Sequence, residues 1–225
     1  MNSDFRFIRQ DLHVSALILT IGLATTVVLG GCDDGKGIPP RVNPQAAQSN
    51  FPVTEPALSN AVILNNIAEI QKIIDGGSEV NTKDALDRTP LHLAAFYGHA
   101  KIIDLLIDHG AEVDVKDHTG LTPLLAAVIS GGRQSVKALL EHGADIQLAN
   151  REGQTALHLA AATGQPRMTR LLIERGADVQ KKDADGKTPL DYARKNFHPQ
   201  TATVLEQALK KTSNNTSAPS TDTKK

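Results

Sequence analysis

Short apolar runs alternate with polar stretches through the chain between residues 57 and 209. In one such unit Leu91, Ala94 and Ala95 share a face at helical spacing. After Gly98, a second apolar face runs from Ile102 to Leu106, and a polar stretch then leads to the next unit. The pattern predicts pairs of short helices joined by extended turns.

The units repeat every 33 residues. The opening element stands at Thr89–His92, Thr122–Leu125, Thr155–His158 and Thr188–Asp191. Two glycine columns keep the same spacing: Gly98, Gly131 and Gly164, then Gly110, Gly143 and Gly176. A degraded copy precedes them, with Leu58, Ala61, Gly77 and Val80 in register. The spacing predicts five repeats, at about 54–86, 87–119, 120–152, 153–185 and 186–210, with atypical terminal copies because their outer faces meet water.

Each recurring residue has a local physical reason. The Thr89 hydroxyl can cap the first helix, and Pro90 fits the first helical position, where its missing N–H costs nothing. Gly98 can end that helix in the left-handed conformation, and Phe197 replaces this glycine in the last copy. Asp117 and Gly120 suit a tight turn at the tip of the extended stretch.

The TPLHLAA element, the central Gly and the LLxxxGA ending resemble the ankyrin repeat family. The resemblance implies an all-α solenoid of about five 33-residue helix-turn-helix repeats with β-turn fingers. It implies that His92 and His158 hydrogen-bond backbone between repeats, and that a partner protein binds the concave face of fingers and first helices. The residues predicted to bind that partner are Arg88, Phe96, Tyr97, His118, Leu121 and Ile129.

The first 31 residues read as a signal peptide. Arg6 and Arg9 precede an uncharged apolar segment from Val14 to Gly31. Its end, Leu29-Gly30-Gly31-Cys32, resembles the lipobox of bacterial lipoproteins, which implies cleavage before a lipidated Cys32. Asp33 resembles the signal that retains such proteins at the inner membrane, facing the periplasm. An uncleaved membrane anchor is the alternative.

Residues 32–53 hold the predicted lipidated cysteine and a Pro-rich tether, and residues 211–225 form a Ser/Thr/Asn-rich tail for which we expect disorder. Two segments of low apolar content therefore flank the repeats.

Composition and the absence of known catalytic motifs exclude several classes of function. A net charge of −1 without a basic run argues against a nucleic-acid partner. The single cysteine excludes an intrachain disulfide or a cysteine metal cluster. The chain has no phosphate-binding loop, HExxH or nucleophile-elbow motif. We therefore expect no enzyme activity, no cofactor and no metal. Ankyrin arrays are usually monomeric, so the resemblance to that family implies a monomer.

Three non-enzymatic roles fit this sequence. The leading hypothesis is a lipid-tethered protein-binding module that acts as an inhibitor or immunity protein against a toxin. The others are an assembly or protective partner of a periplasmic enzyme, such as a peroxide-defence enzyme, and an envelope spacer without a dedicated partner. A hydrolase built around His118 is the least favoured alternative.

Overall fold

The computed structural model describes residues 57–216, with side chains described as far as residue 212. Ten helices form this part of the chain. They are α1 (Ala57–Ile63), α2 (Ile67–Asp75), α3 (Pro90–Phe96), α4 (Ala100–Asp108), α5 (Pro123–Ser130), α6 (Arg133–Glu141), α7 (Ala156–Ala162), α8 (Pro166–Glu174), α9 (Pro189–Lys195) and α10 (Pro199–Thr216). Within it the β structure is limited to one isolated bridge, between Ala149 and Thr155.

The helices stack as five successive pairs. The two helices of each pair contact one another, and each first helix contacts the first helix of the next pair. This arrangement confirms the predicted all-α solenoid of five helix-turn-helix repeats, and it places α1, α3, α5, α7 and α9 in one layer.

One alanine column lets the first helices approach closely. Ala94, Ala127, Ala160 and Ala193 are completely buried, and Ala61 is nearly so. Leu91, Leu124 and Leu157 fill the core beside this column, with less than 2% of each exposed. Because small and large residues alternate in the same register, every repeat buries its apolar face against its neighbours.

The last helix runs beyond the predicted end of the repeats. α10 continues to Thr216, so the boundary predicted at residue 210 falls inside a helix, and residues 211–216 are not the disordered start of a tail. The apolar positions of α10 stop at Leu209, which is why apolar spacing alone placed the end there. The predicted signal peptide, Cys32 and the linker to residue 53 lie outside the described residues, as do residues 217–225.

An acidic or amide side chain shapes each finger. The Asp117 Oδ1 atom accepts hydrogen bonds from the N–H groups of Thr119 (2.8 Å) and Leu121 (2.9 Å). The equivalent side chains bond the same two backbone positions in the other fingers: Asp84, Asn150 and Asp183. Gly120 at the tip has φ of +82°, and its equivalent Asp87 has φ of +58°. The turn predicted from Asp117 and Gly120 is therefore confirmed, with its hydrogen bonds satisfied locally.

Two buried histidines link consecutive repeats. The Nδ1 atom of His92 accepts from the backbone N–H of Thr89 (3.1 Å), so Nε2 carries the proton and donates to the carbonyl of Leu121 (3.0 Å). His158 repeats this arrangement with Thr155 and the carbonyl of Lys187. Burial lowers the pKa of both imidazoles from the ordinary value of 6.5. This structure supports the bridging role that the family resemblance implied for these histidines.

The neutral histidines predict a loss of stability in mild acid. Their pKa is lower in the folded chain than in the unfolded chain, so the unfolded chain takes up more protons below about pH 6.5. We expect the free energy of unfolding, measured with urea, to fall as pH drops from 7.5 to 5. The double variant His92→Leu/His158→Leu should show a shallower dependence, since Leu125 occupies this position in the third repeat.

The exposed His109 provides the matched control for this experiment. An unchanged pH slope in the double leucine variant, or an equal flattening in His109→Gln, would contradict the assignment.

Phe197 occupies a backbone position that favours glycine. In the equivalent turns Gly98, Gly131 and Gly164 have φ between +67° and +81°, and Asn65 has φ of +53°. Phe197 adopts φ of +57° with 89% of its surface exposed. The left-handed conformation costs a bulky residue about 1–2 kcal/mol, and this exposed ring gains little from packing in return.

Phe197→Gly should therefore stabilise the array. We expect the free energy of unfolding to rise by up to about 1 kcal/mol, because relief of backbone strain exceeds the entropy that glycine adds to the unfolded chain. Gly98→Ala, in the same column and with nothing within 4 Å of the added Cβ atom, should lower the free energy of unfolding by about 1 kcal/mol. Urea unfolding measures both, and a destabilised Phe197→Gly protein would refute the strain argument.

Candidate protein-binding surface

The fingers and the exposed residues of the first-helix layer form one face, which we call the inner face. Neighbouring fingers are joined by backbone hydrogen bonds: the His118 N–H donates to the Leu86 carbonyl (3.1 Å), and the Ala184 N–H donates to the Glu152 carbonyl (3.0 Å). The Arg151 N–H makes a longer bond of the same kind to Thr119 (3.4 Å). These bonds hold the fingers in a fixed order, which gives a partner a preorganised surface.

Arg88 and His118 lie in the fingers, and both are engaged in holding them. The Nε atom of Arg88 donates to Oδ2 of the buried Asp84 (2.6 Å), and 17% of the Arg88 side chain is exposed. His118 is exposed, and its Nδ1 atom donates to the Leu86 carbonyl (2.9 Å). Both remain reachable from solvent, but each already has a structural role.

Phe96 and Tyr97 end the first helix of the second repeat. Their rings pack edge to face with centroids 5.4 Å apart, and Tyr97 stacks on His99 at 6.1 Å. Phe96 is half-buried, whereas Tyr97 is 43% exposed. Ile129, half-buried, stands at the position of the third repeat that matches Phe96. These three residues form the apolar part of the inner face, and aromatic residues of this kind favour interface centres.

Leu121 was expected on this surface, and the structure places it in the core. Only 2% of its surface is exposed. Its carbonyl receives the His92 hydrogen bond, and its backbone N–H bonds to Asp117, so this segment is drawn inward below the finger. The equivalent residue Gln154 is also buried. A partner cannot contact the Leu121 side chain without unfolding this region.

The remaining predicted residues form two groups rather than one patch. Arg88 and His118 precede the first helices, whereas Phe96, Tyr97 and Ile129 end them. One helix of this length separates the two groups by about 12 Å along its axis. A protein partner that used both groups would have to span the width of the inner face.

The sequence interpretation missed a buried polar network between the fourth and fifth repeats. The Tyr192 hydroxyl donates to Asp183 Oδ2 (2.6 Å) and accepts from the Gln154 amide (2.9 Å). Burial raises the pKa of the Tyr192 hydroxyl, and the Asp183 carboxylate adds to this rise. Asn150 donates to Gln154 and so extends the network into the next finger. No residue type in the sequence singled out this set, because its members are joined only by the stacking of repeats.

Three exposed apolar residues were also missed as surface features: Leu64, Ile67 and Phe197. A comparison of register could have found two of them, because Leu64 shares its column with Tyr97 and Phe197 stands in a glycine column.

The described residues contain no group of three or more His, Cys, Asp or Glu placed to hold a metal ion. Between residues 57 and 216, no helix is both long and apolar enough to cross a bilayer. The arrangement on the inner face thus supplies shape, apolar contacts and hydrogen bonds.

Comparisons with known families agree with this architecture. A family model for ankyrin repeats in three copies matches residues 58–150, and a model for ankyrin repeats in many copies matches residues 139–193. Together the two matches cover residues 58–193 of the 225-residue chain. No curated protein sequence gives a significant match.

The burial of Leu121 predicts losses of stability of different size for two alanine variants. Leu121→Ala should lower the free energy of unfolding by about 2–5 kcal/mol, because it leaves a cavity in the core. Tyr97→Ala should lower it by less than about 1.5 kcal/mol, since Tyr97 is largely exposed and its ring contacts are local. Urea unfolding of both variants measures the difference, and equal losses would refute the separation of core from surface.

Proposed function

Because the chain belongs to the ankyrin-repeat family, we propose that it is a non-enzymatic protein-binding module, tethered by lipid at Cys32 to the periplasmic side of a bacterial inner membrane. Ankyrin repeats are protein–protein interaction modules, and this chain carries five of them in an uninterrupted stack. Function in such a protein resides in the exposed surface rather than in the fold.

The observation that carries the proposal is the apolar group at the ends of α3 and α5. Tyr97 is 43% exposed in a surface otherwise dominated by small and polar residues, and Phe96 and Ile129 flank it. A rigid ring of this type contributes contact area at a low cost in conformational entropy. The hydrogen-bonded fingers beside it fix the approach of a partner.

We propose that the bound partner is a toxin that this protein inhibits. A preformed rigid surface binds without paying for its own ordering, which suits an inhibitor that must capture its target quickly. An assembly or protective partner of a periplasmic enzyme would use the same surface. A neighbouring gene for a secreted toxin supports inhibition, and a neighbouring gene for an enzyme supports the second role.

Partner capture tests the binding face directly. Crosslinking in cells followed by purification of the full chain should yield one stoichiometric partner. Tyr97→Ala combined with Ile129→Ala should weaken the affinity for that partner by about tenfold or more. The matched control is Glu174→Ala, an exposed residue at the end of the second helix α8, outside the inner face.

Unchanged affinity in the folded double variant would reject Phe96, Tyr97 and Ile129 as the anchor group. Recovery of no partner would favour the envelope spacer.

The lipid anchor has an independent test. Cells fed a radioactive fatty acid should label the wild-type protein, and Cys32→Ala should abolish the label because the chain has no other cysteine. Retention of the label in Cys32→Ala, or its absence from the wild type, would reject lipidation at this residue.

A further inference from the structure

One edge of the solenoid carries every large apolar side chain that is strongly exposed in the described residues. Each helix pair has a tight turn between its two helices, at the end opposite to the finger. We call these five turns the hairpin edge, which comprises residues 63–68, 96–101, 129–134, 162–167 and 195–200. Leu64 (77% exposed), Ile67 (43%), Tyr97 (43%) and Phe197 (89%) all lie on it.

The charge of the hairpin edge differs from that of the remaining surface. Its five segments contain no Asp or Glu, and they contain four basic residues: Lys101, Arg133, Arg167 and Lys195. The rest of residues 57–212 holds 19 Asp and Glu against 14 Lys and Arg. One edge is thus purely basic on a protein whose other surfaces are net acidic, and this favours an anionic partner for that edge alone.

Phe197 is a second, independent indication that this edge binds a ligand. The ring stands in a left-handed turn where three other repeats have glycine, and it is almost fully exposed. The left-handed conformation is unfavourable for a bulky residue, and the exposed ring gains little packing in return, so we expect this side chain to carry a cost to folding. Such a cost is typical of a residue that serves binding.

The distribution of the apolar side chains fits a flat partner. Leu64 and Phe197 lie four repeats apart, and at about 8–10 Å per stacked helix this separation is about 32–40 Å. A protein interface concentrates its anchors near one centre, whereas a membrane surface accepts shallow insertions anywhere along a line. Tyrosine, phenylalanine and the long basic side chains are the residues that favour the boundary between lipid headgroups and acyl chains.

We propose that the hairpin edge lies on the surface of a bilayer that contains anionic lipids. Leu64, Tyr97 and Phe197 enter the interface, while Lys101, Arg133 and Arg167 contact lipid phosphates. The fingers, at the opposite ends of the first helices, then point away from the membrane. Tyr97 belongs to both the anchor group and the hairpin edge, so a protein partner that buries Tyr97 competes with the membrane for that ring, while the fingers stay accessible.

The membrane contact rests on the proposed function in one respect: the lipid tether places the protein at a membrane. The chain from Cys32 to Ala57 reaches at most roughly 80 Å when extended. A tether alone would therefore leave the array free over a wide volume. Weak contacts of the hairpin edge would confine it, because the tether keeps the effective concentration of lipid high.

The test places a fluorophore on either edge of the full chain. Cys32→Ala removes the native thiol, and Ser130→Cys on the hairpin edge or Glu152→Cys at a finger supplies one labelling site. Vesicles of phosphatidylethanolamine and phosphatidylglycerol should shift the emission of an environment-sensitive label at residue 130 to the blue. The label at residue 152 should not shift, and phosphatidylcholine vesicles should shift neither.

Two matched sets of substitutions test the mechanism. Lys101→Glu/Arg133→Glu/Arg167→Glu should abolish the shift at residue 130, whereas Lys83→Glu/Lys181→Glu/Lys182→Glu, with the same change in net charge elsewhere on the surface, should preserve most of it. Phe197→Gly should reduce the shift without loss of stability. Salt at 0.5 M, which screens charges beyond a few ångströms, should reduce it as well.

Equal shifts at residues 130 and 152, or equal effects of the two charge reversals, would overturn the proposal. A shift that grows with protein concentration without vesicles would also overturn it, and would show that a second copy of the chain covers this edge. The assay contains neither the lipidated cysteine nor the protein partner, so its failure is distinct from failure of the proposed function.

Discussion

The structure depends on the inability of any single repeat to bury its own apolar face. Apart from α10, the helices of these pairs have only about two turns each, which is too short for them to be stable alone in water. The fully buried Ala94, Ala127 and Ala160 column brings successive first helices close enough to share one continuous core. Stability is therefore carried by the interfaces between repeats, and everything that fixes the repeat register also preserves the core.

Backbone hydrogen bonds between repeats set that register. The imidazoles of His92 and His158 reach the carbonyl of the following repeat, and the finger backbones bond one another directly. The third repeat has Leu125 in place of the histidine, and that side chain is buried. The finger bond from the Ala184 N–H to the Glu152 carbonyl still joins the third repeat to the next one. The inner face is consequently rigid, and its chemistry is decided by the few side chains that project from it.

The sequence predicted the parts of the fold that have local causes. The threonine caps, the prolines at helix starts and the left-handed Gly98 follow from nearby residues and appear as expected. The burial of Leu121 could not be predicted, because it depends on how far the finger is drawn towards His92 of the preceding repeat. The extent of α10 was missed because its last turns lack an apolar face. Of the candidate site, the helix-end residues Phe96, Tyr97 and Ile129 are reachable from solvent, and their role in binding stays a prediction, whereas Leu121 is buried.

The central claim is that one stack binds two ligands, a protein at the inner face and a membrane at the hairpin edge, and that these two surfaces share Tyr97. Hydrogen exchange of the full chain, measured by mass spectrometry with the crosslinked partner alone and with anionic vesicles alone, tests it directly. The account predicts that the partner slows exchange in the fingers and first helices of the second and third repeats. Vesicles should slow exchange in peptides from the turns near residues 64 and 197, which the partner should leave unchanged. Protection of these two turns by the partner, protection of the fingers by vesicles, or no protection of either set by its own ligand would contradict the account.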